Sequence, residues 1–230
     1  MKYLNYALSL TTIAIAIVST HALAQPPRGG FGMMNQPLTV VSAPAEVLGK
    51  ELKLSEEVQK KVAAIQKGVQ DKMTAAMQEL RDSGGFSPEA FQELQKKNTE
   101  NAKKAETEIM ALLSNDQKKA LPDVMKALQM LRTLGIPVQL NGDLKLTEEQ
   151  KTALAKIAVE VTKDRESKMK EMQEARENGD QDKMRELMQA MRTSGANPKA
   201  LAALTADQKA MIEKYIKDHP QQPGRRPGGN

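Results

Sequence analysis

Methionine is the side chain with the most distinctive chemistry in this sequence, which has 14 Met but no Cys, no Trp and two His. A thioether is flexible and polarizable, so a row of methionines can adapt to apolar partners of different shapes. The same soft sulfur atoms favour copper(I), although no Cys or His accompanies them here. The alternative is that methionines simply fill a thin core. The candidate binding residues, all at helical spacing, are Met73, Met77, Met169, Met172, Met184, Met188 and Met191.

The side chains that hydrolytic or zinc chemistry requires are scarce. Once the signal peptide predicted below is removed, His219 is the single histidine, and it stands beside Pro220 near the C-terminus. A zinc site needs clustered His or Cys ligands, and a Ser-His-Asp triad needs a positioned base. Most carboxylates alternate with Lys or Arg at helical spacing, as Glu56 does with Lys60, which is typical of solvated helix faces. We therefore predict no enzymatic activity, no metal site and no cofactor.

The positive charge of the chain is concentrated at its ends. The formal net charge is +5, but between Glu46 and Asp218 there are 30 Lys and Arg against 29 Asp and Glu. A surface of evenly mixed charge has no electrostatic footprint for nucleic acid, and few aromatic side chains are present to stack on bases. We predict that the protein does not bind nucleic acid.

The elements that must position the methionines are marked by a repeated motif, Leu-Ser/Thr-x-x-Gln. Its Ser or Thr can cap a helix by accepting a hydrogen bond from a first-turn amide, while its Gln reaches back to the amide of the capping residue. Four helix starts are predicted in this way. The intact copies are Leu113, Ser114 and Gln117; Leu146, Thr147 and Gln150; and Leu204, Thr205 and Gln208, while the degenerate copy, Leu54 and Ser55, has Val58 in place of Gln.

The spacing of the motif indicates an internal duplication. Leu54 precedes Leu146 by 92 residues, and Leu113 precedes Leu204 by 91. Self-similarity at a fixed period is the usual sign of a repeated structural unit. We predict an all-α fold of two tandem units, residues 44–135 and 136–218, each a long helical hairpin closed by a capped third helix. The two units are expected to pack together as a pseudo-dimer, because a single unit of this size has little core of its own.

Apolar residues at steps of three or four predict the individual helices. The longest are expected from Glu56 to about Arg81 and from Glu148 to Glu177, with the chain turning at Asn178-Gly179-Asp180. Pro122 predicts a kink or a restart near Leu121. The last helix is expected to turn four apolar side chains inward: Met211, Ile212, Tyr215 and Ile216.

The two ends of the chain differ from its helical centre. Residues 1–24 combine Lys2, an apolar run and a small-residue ending, so we predict a Sec signal peptide cut after Ala24. The run is shorter than the roughly 20 residues that span a bilayer, so stable membrane insertion is not expected. Residues 25–43 are predicted to be a flexible leader and residues 219–230 a disordered tail rich in Pro, Gly and Arg. The expected location is the bacterial periplasm, with secretion as the alternative.

The repeated motif resembles that of the LTxxQ family, typified by the Spy and CpxP periplasmic proteins. Members carry two copies per chain, so this sequence looks like a fused, tandem two-unit member. The resemblance implies a curved helical cradle, often a homodimer, that acts as an ATP-independent chaperone for unfolded or aggregation-prone envelope proteins. Some relatives instead restrain a stress-sensing kinase or bind metal ions. The alternative function is therefore envelope-stress or metal sensing, with copper or zinc as the metal, without chaperone activity. The motif residues take a structural role in the family, so the methionines are our own candidates for binding.

Overall fold

The computed structural model describes residues 37–82, 87–191 and 195–219. They all belong to one compact unit, Gln36–Asn230. The predicted signal peptide, residues 25–36 of the predicted leader and residues 220–230 of the tail lie outside the described residues. No helix within the described ranges is both long enough and apolar enough to cross a membrane.

The prediction of an all-α fold is confirmed, and the described ranges contain no strand. One short 3-10 turn, Val138–Leu140, accompanies the α-helices. The helices are α1 Ala45–Glu51, α2 Glu56–Asp82, α3 Pro88–Leu112, α4 Asn115–Thr133, α5 Glu148–Glu177, α6 Gln181–Met191, α7 Pro198–Ala202 and α8 Ala206–Asp218.

Two hairpins, α2 with α3 and α5 with α6, are the longest features of the fold. Helix α5 has the predicted bounds and is followed by its C-cap Asn178, after which Gly179 has φ of +70° and turns the chain into α6. Ser87 caps α3, because its Oγ accepts a hydrogen bond from the backbone N–H of Ala90 at 3.1 Å. At a rise of about 1.5 Å per residue, the 27 residues of α2 span about 40 Å.

Of the kink or restart predicted near Leu121, the restart does not occur, and the kink stays a prediction. Helix α4 runs unbroken from Asn115 to Thr133 with Pro122 inside it. Proline removes one backbone donor from a helix, and packing can offset that cost. Leu121 and Leu128, on either side of the proline, are buried, and that burial favours continuation of the helix.

Most of the buried apolar side chains form two clusters, and α4 contributes to both. The first cluster contains Leu121 and Leu128 of α4 together with residues of α1, α2 and α3. The second contains Leu131 and Leu134 with residues of α5, α7 and α8. The change from one cluster to the other therefore falls inside α4, before the boundary predicted at residue 135.

The junction after α4 depends on a close approach of two chain segments. Gly135 has φ of +71°, in the left-handed region that favours glycine. A Cβ at Gly135 would overlap the carbonyl oxygen of Gly195. The N–H of Asn197 donates to the carbonyl oxygen of Leu134 at 2.7 Å. Glycine is thus required at 135 for two separate reasons.

The flexible leader was predicted to extend to residue 43, but its last residues are packed against the first cluster. Val40 and Ala43 are only 4% and 1% exposed and belong to the first cluster. The side-chain amide of Gln66 donates to both of their carbonyl oxygens, each at 2.8 Å. Apolar burial and these hydrogen bonds order residues that their local sequence leaves unspecified.

Helix α8 is less buried than its apolar pattern predicts. Ile212 is buried and Tyr215 is half-buried, as expected, but Met211 and Ile216 are 36% and 39% exposed. On a helical wheel these two residues flank the buried face, so contacts on that face leave them uncovered. The expectation that all four side chains point inward is wrong for Met211 and Ile216.

Candidate functional site

The three intact motif copies form capping boxes, as predicted. Ser114, Thr147 and Thr205 each accept a hydrogen bond from the backbone N–H of the motif glutamine. The glutamine side-chain oxygen in turn accepts from the backbone N–H of the capping residue, at 2.8, 3.1 and 2.9 Å respectively. Two otherwise unpaired donors are satisfied at each helix start.

The degenerate copy keeps the cap without the box. The Oγ of Ser55 accepts from the N–H of Val58 at 3.3 Å. Valine has no group that could reach back to the N–H of Ser55. Helix α2 therefore begins with half of the arrangement found at α4, α5 and α8.

Two of the motif glutamines also bind each other. The Nε2 of Gln150 donates to the Oε1 of Gln208 at 2.8 Å, and the Nε2 of Gln208 donates to the Oε1 of Gln150 at 3.1 Å. Each Nε2 has a second acceptor, the carbonyl oxygen of Ala203 for Gln150 and that of Leu144 for Gln208. Since each oxygen also accepts from its own capping residue, both amides have all their hydrogen-bonding capacity satisfied.

A related contact joins the end of α1 to the start of α4. The Nε2 of Gln117 donates to the carbonyl oxygen of Leu52 at 3.1 Å, as Gln208 does to Leu144. The two donors are 91 residues apart and the two acceptors 92. In both places a lysine at positive φ directly follows the acceptor, Lys53 at 51° and Lys145 at 46°.

The candidate methionines lie on the hairpins, and most of them are partly covered. Met172 is buried at 8% exposed, and the other buried residues of the α5–α6 hairpin are Leu154, Ala175 and Leu187. The six remaining candidates are half-buried: Met73, Met77, Met169, Met184, Met188 and Met191. Packing between helices thus covers Met172 and leaves the other six methionines partly accessible.

Both long helices have a central stretch that no neighbour fully covers. Helix α2 has no buried residue between Val62 and Leu80, and α5 has none between Leu154 and Met172. Each stretch is 17 residues, which corresponds to about 26 Å of helix. A hairpin of two helices cannot surround its apolar stripe, so these side chains stay accessible along the arms.

Charged side chains on these helices mostly pair within the same helix. Lys61 with Glu57, and Lys67 with Asp71, have N–O distances of 2.6 Å. The pKa of Glu57 is lowered mainly by the hydrogen bond that Lys61 donates to it, and secondly by the positive charge of Lys61. Exposed pairs of this kind contribute little to stability but surround the apolar stripe with charge of both signs.

An exposed ion pair links α7 with α5. The Nζ of Lys199 on α7 lies 2.8 Å from the Oε2 of Glu160 on α5. The hydrogen bond between them lowers the pKa of Glu160 and raises the pKa of Lys199. This pair lies where α7 packs beside α5, close to the second cluster.

A metal-binding cluster is absent from the described ranges. No group of three or more His, Cys, Asp or Glu side chains there could hold a metal ion. The surface depression lined by Glu148, Glu149, Thr152, Ala153 and Lys156 is formed by α5 alone and is open to solvent. The extended faces of the hairpins are therefore the candidate functional surface.

Several residues that organise the two clusters were not predicted from the sequence. Ile136, Leu140 and Leu144, between α4 and α5, are buried, and Gln66 and Gln129 bind the segment that precedes α1. The unused donors of each motif glutamine were a signal for the contact between Gln150 and Gln208, because a buried amide needs more partners than its own helix start offers.

Comparisons of the chain with protein-family models, curated proteins and solved structures gave no match.

Proposed function

We propose that this chain is an ATP-independent, chaperone-like protein of the periplasm that binds unfolded or aggregation-prone envelope proteins along its helical hairpins. The observation that carries the proposal is the row of half-buried methionines on arms only two helices thick. Such a surface offers adaptable apolar contacts without an enclosed pocket. Mixed charge on the same helices keeps the arms soluble while those contacts remain open.

The contacts that recur 91 or 92 residues apart support a proposal about the architecture of the chain. We infer two tandem LTxxQ-type units that pack as a pseudo-dimer through α4. The positive-φ lysines Lys53 and Lys145 and the paired acceptors Leu52 and Leu144 favour a common origin for the two halves. The replacement of glutamine by Val58 then accounts for the missing amide pair in the first half.

The proposal predicts that the protein without residues 1–24 suppresses aggregation of a chemically denatured or reduced client protein. Suppression is expected near a one-to-one ratio without ATP, measured by light scattering. If the client aggregates at its normal rate in a several-fold excess of the protein, the proposal is wrong.

Two triple variants locate the binding surface. Replacement of Met184, Met188 and Met191 by Gln keeps the side-chain length and removes the apolar character, so suppression is expected to weaken. The matched control replaces the exposed Gln173, Gln181 and Gln189 of the same hairpin by Glu, and it is expected to suppress aggregation normally. Circular dichroism must show unchanged helix content in both variants. Equal suppression by both would remove this hairpin from the proposed surface.

A further inference from the structure

Helix α6 packs on α5 through a face that consists largely of methionine. Of its 11 residues, four have side chains that are not exposed, and these are Met184, Leu187, Met188 and Met191. By comparison, α2 in the other hairpin has eleven residues that are not exposed, and two of them are methionines. The contact of α6 with its neighbour therefore depends on thioether side chains far more than the contact of α2 with α3 does.

The same face of α6 covers Met172 of α5. Met172 lies seven residues before Gly179 at the turn of the hairpin, and Leu187 lies eight residues after it. The Nζ of Lys183 and the Oε2 of Glu171 are 4.0 Å apart, so the two helices face each other at this level. Met172 is 8% exposed, whereas the methionines of α6 are half-buried. An oxidant in the solvent therefore reaches the thioethers of α6, while α6 shields Met172.

Methionine is the side chain of this protein that mild oxidants attack first. The sequence has 14 Met but no Cys and no Trp, so two side chains that compete for oxidants elsewhere are absent. In the reaction with hydrogen peroxide, a sulfur lone pair attacks one peroxide oxygen and the O–O bond breaks. The sulfur keeps that oxygen as a sulfoxide and loses two electrons to the peroxide. The other oxygen leaves as hydroxide and takes up the remaining proton to form water.

Sulfoxides on α6 weaken its contact with α5. Oxidation turns a flexible apolar side chain into a polar one, so Leu187 would be the one apolar side chain left among the four that are not exposed. Isolated helices shorter than roughly 12–15 residues are marginal in water, and α6 has 11 residues, so α6 needs this contact to stay formed. Leu187 and the pair of Lys183 with Glu171 still hold α6 most of the time, but it opens more often.

We propose that Met184, Met188 and Met191 are a site of sulfoxide formation by peroxides, and that their oxidation loosens α6 from α5 and makes Met172 accessible to oxidation in turn. Met172 is thus oxidised after the three thioethers of α6 and because of them. The oxidation state of α6 thereby controls how often this hairpin opens. The inference concerns the α5–α6 hairpin alone and does not rest on the proposed function.

The test follows the oxidation of each methionine by peptide mass spectrometry while the protein without residues 1–24 is incubated with hydrogen peroxide. In the wild type, the methionines of α6 should be oxidised first and Met172 after a lag. Replacement of Met184, Met188 and Met191 by Leu keeps the apolar contact but removes its oxidisable sulfur. Met172 should then be oxidised about tenfold more slowly than in the wild type, since α6 no longer loosens.

The matched control replaces Met73 and Met77 of α2 by Leu. It removes two half-buried thioethers from the other hairpin, so it should leave the oxidation of Met172 unchanged. Circular dichroism checks that both variants are folded. Oxidation of Met172 without a lag, or at the same rate in the α6 variant as in the wild type, would overturn the proposal.

Hydrogen exchange provides a measurement on the wild-type chain that does not depend on folding of a variant. The reaction is stopped once α6 carries its sulfoxides and before Met172 is oxidised. Amide exchange in α6 should then be faster by about tenfold, whereas exchange around the buried Val62 of α2 should not change. Reduction by the two epimer-specific methionine sulfoxide reductases should restore the slow exchange. Equal exchange in α6 before and after oxidation would contradict the loosening.

Discussion

The side-chain amides of Gln150 and Gln208 form a reciprocal pair, with N–O distances of 2.8 and 3.1 Å. Gln208 is only 8% exposed, and the pair joins the start of α5 to the start of α8. Because each amide also completes a capping box, the local and the long-range hydrogen bonds of these helix starts depend on the same two side chains.

We predict that Gln208→Leu destabilises the protein by about 1–3 kcal/mol, because it leaves buried partners unsatisfied. Gln150→Leu should act similarly, and the double variant should lose less than the sum of the two. Urea denaturation measures all three. The exposed Gln173→Leu is the control and should change stability little. Strict additivity of the two losses would show that the pair is not coupled.

Val58→Gln should complete the fourth capping box. The new amide would stand at the start of α2 where it can pair with Gln117, whose Nε2 already binds the carbonyl oxygen of Leu52. We expect slower exchange of the Gln117 side-chain amide protons, observed by NMR. Val58→Ser removes the same apolar contact without adding an amide, so it should leave that exchange unchanged.

Gly135→Ala is predicted to be more damaging than Gly179→Ala. Both glycines have positive φ, where an alanine costs about 1–2 kcal/mol. At Gly135 the new Cβ also overlaps the carbonyl oxygen of Gly195, whereas at Gly179 it meets open space. Urea denaturation of the two variants should therefore differ by more than the strain they share. Equal losses would show that the backbone near Gly195 adjusts freely.

Replacement of Met184, Met188 and Met191 by Leu separates the chaperone proposal from a metal-sensing alternative. Leucine keeps the apolar surface but cannot ligate copper(I). Under our proposal, aggregation suppression changes by less than about twofold, because Met and Leu have similar volumes. Copper(I) titration of the wild type and the variant gives the other readout. A saturable copper(I) affinity lost in the variant, together with no suppression by either protein, would favour the metal-sensing function.

The carboxyl group of Glu160 should titrate below its ordinary pKa of 4.5, because Lys199 stabilises its charged form. The stabilisation is present above pH 4.5 and is lost as the pH falls through the lower folded-state value. An NMR pH titration of the Glu160 side chain measures this. Lys199→Ala should return the midpoint towards 4.5, and an unchanged midpoint in that variant would assign the shift to another group.

The sequence by itself determined where the helices with the repeated motif begin. The capping boxes at Ser114, Thr147 and Thr205 connect residues only three apart, so they form from local sequence without knowledge of the rest of the chain. The turn at Asn178-Gly179 is equally local, because glycine adopts positive φ at little cost. For the same reason the start of α2 at Ser55 was predictable even though its motif is incomplete.

Only the tertiary structure decided which side chains of this repeated pattern are covered. Met172 is buried but Met169 is not, and Met211 and Ile216 are exposed. These differences, and the order of the segment before α1, depend on neighbours distant in sequence. Gln150 and Gln208 are 58 residues apart, and no local spacing indicates that their helices meet. Helical periodicity gives the apolar face of each helix, but the free energy of covering that face comes from whichever elements the fold brings against it.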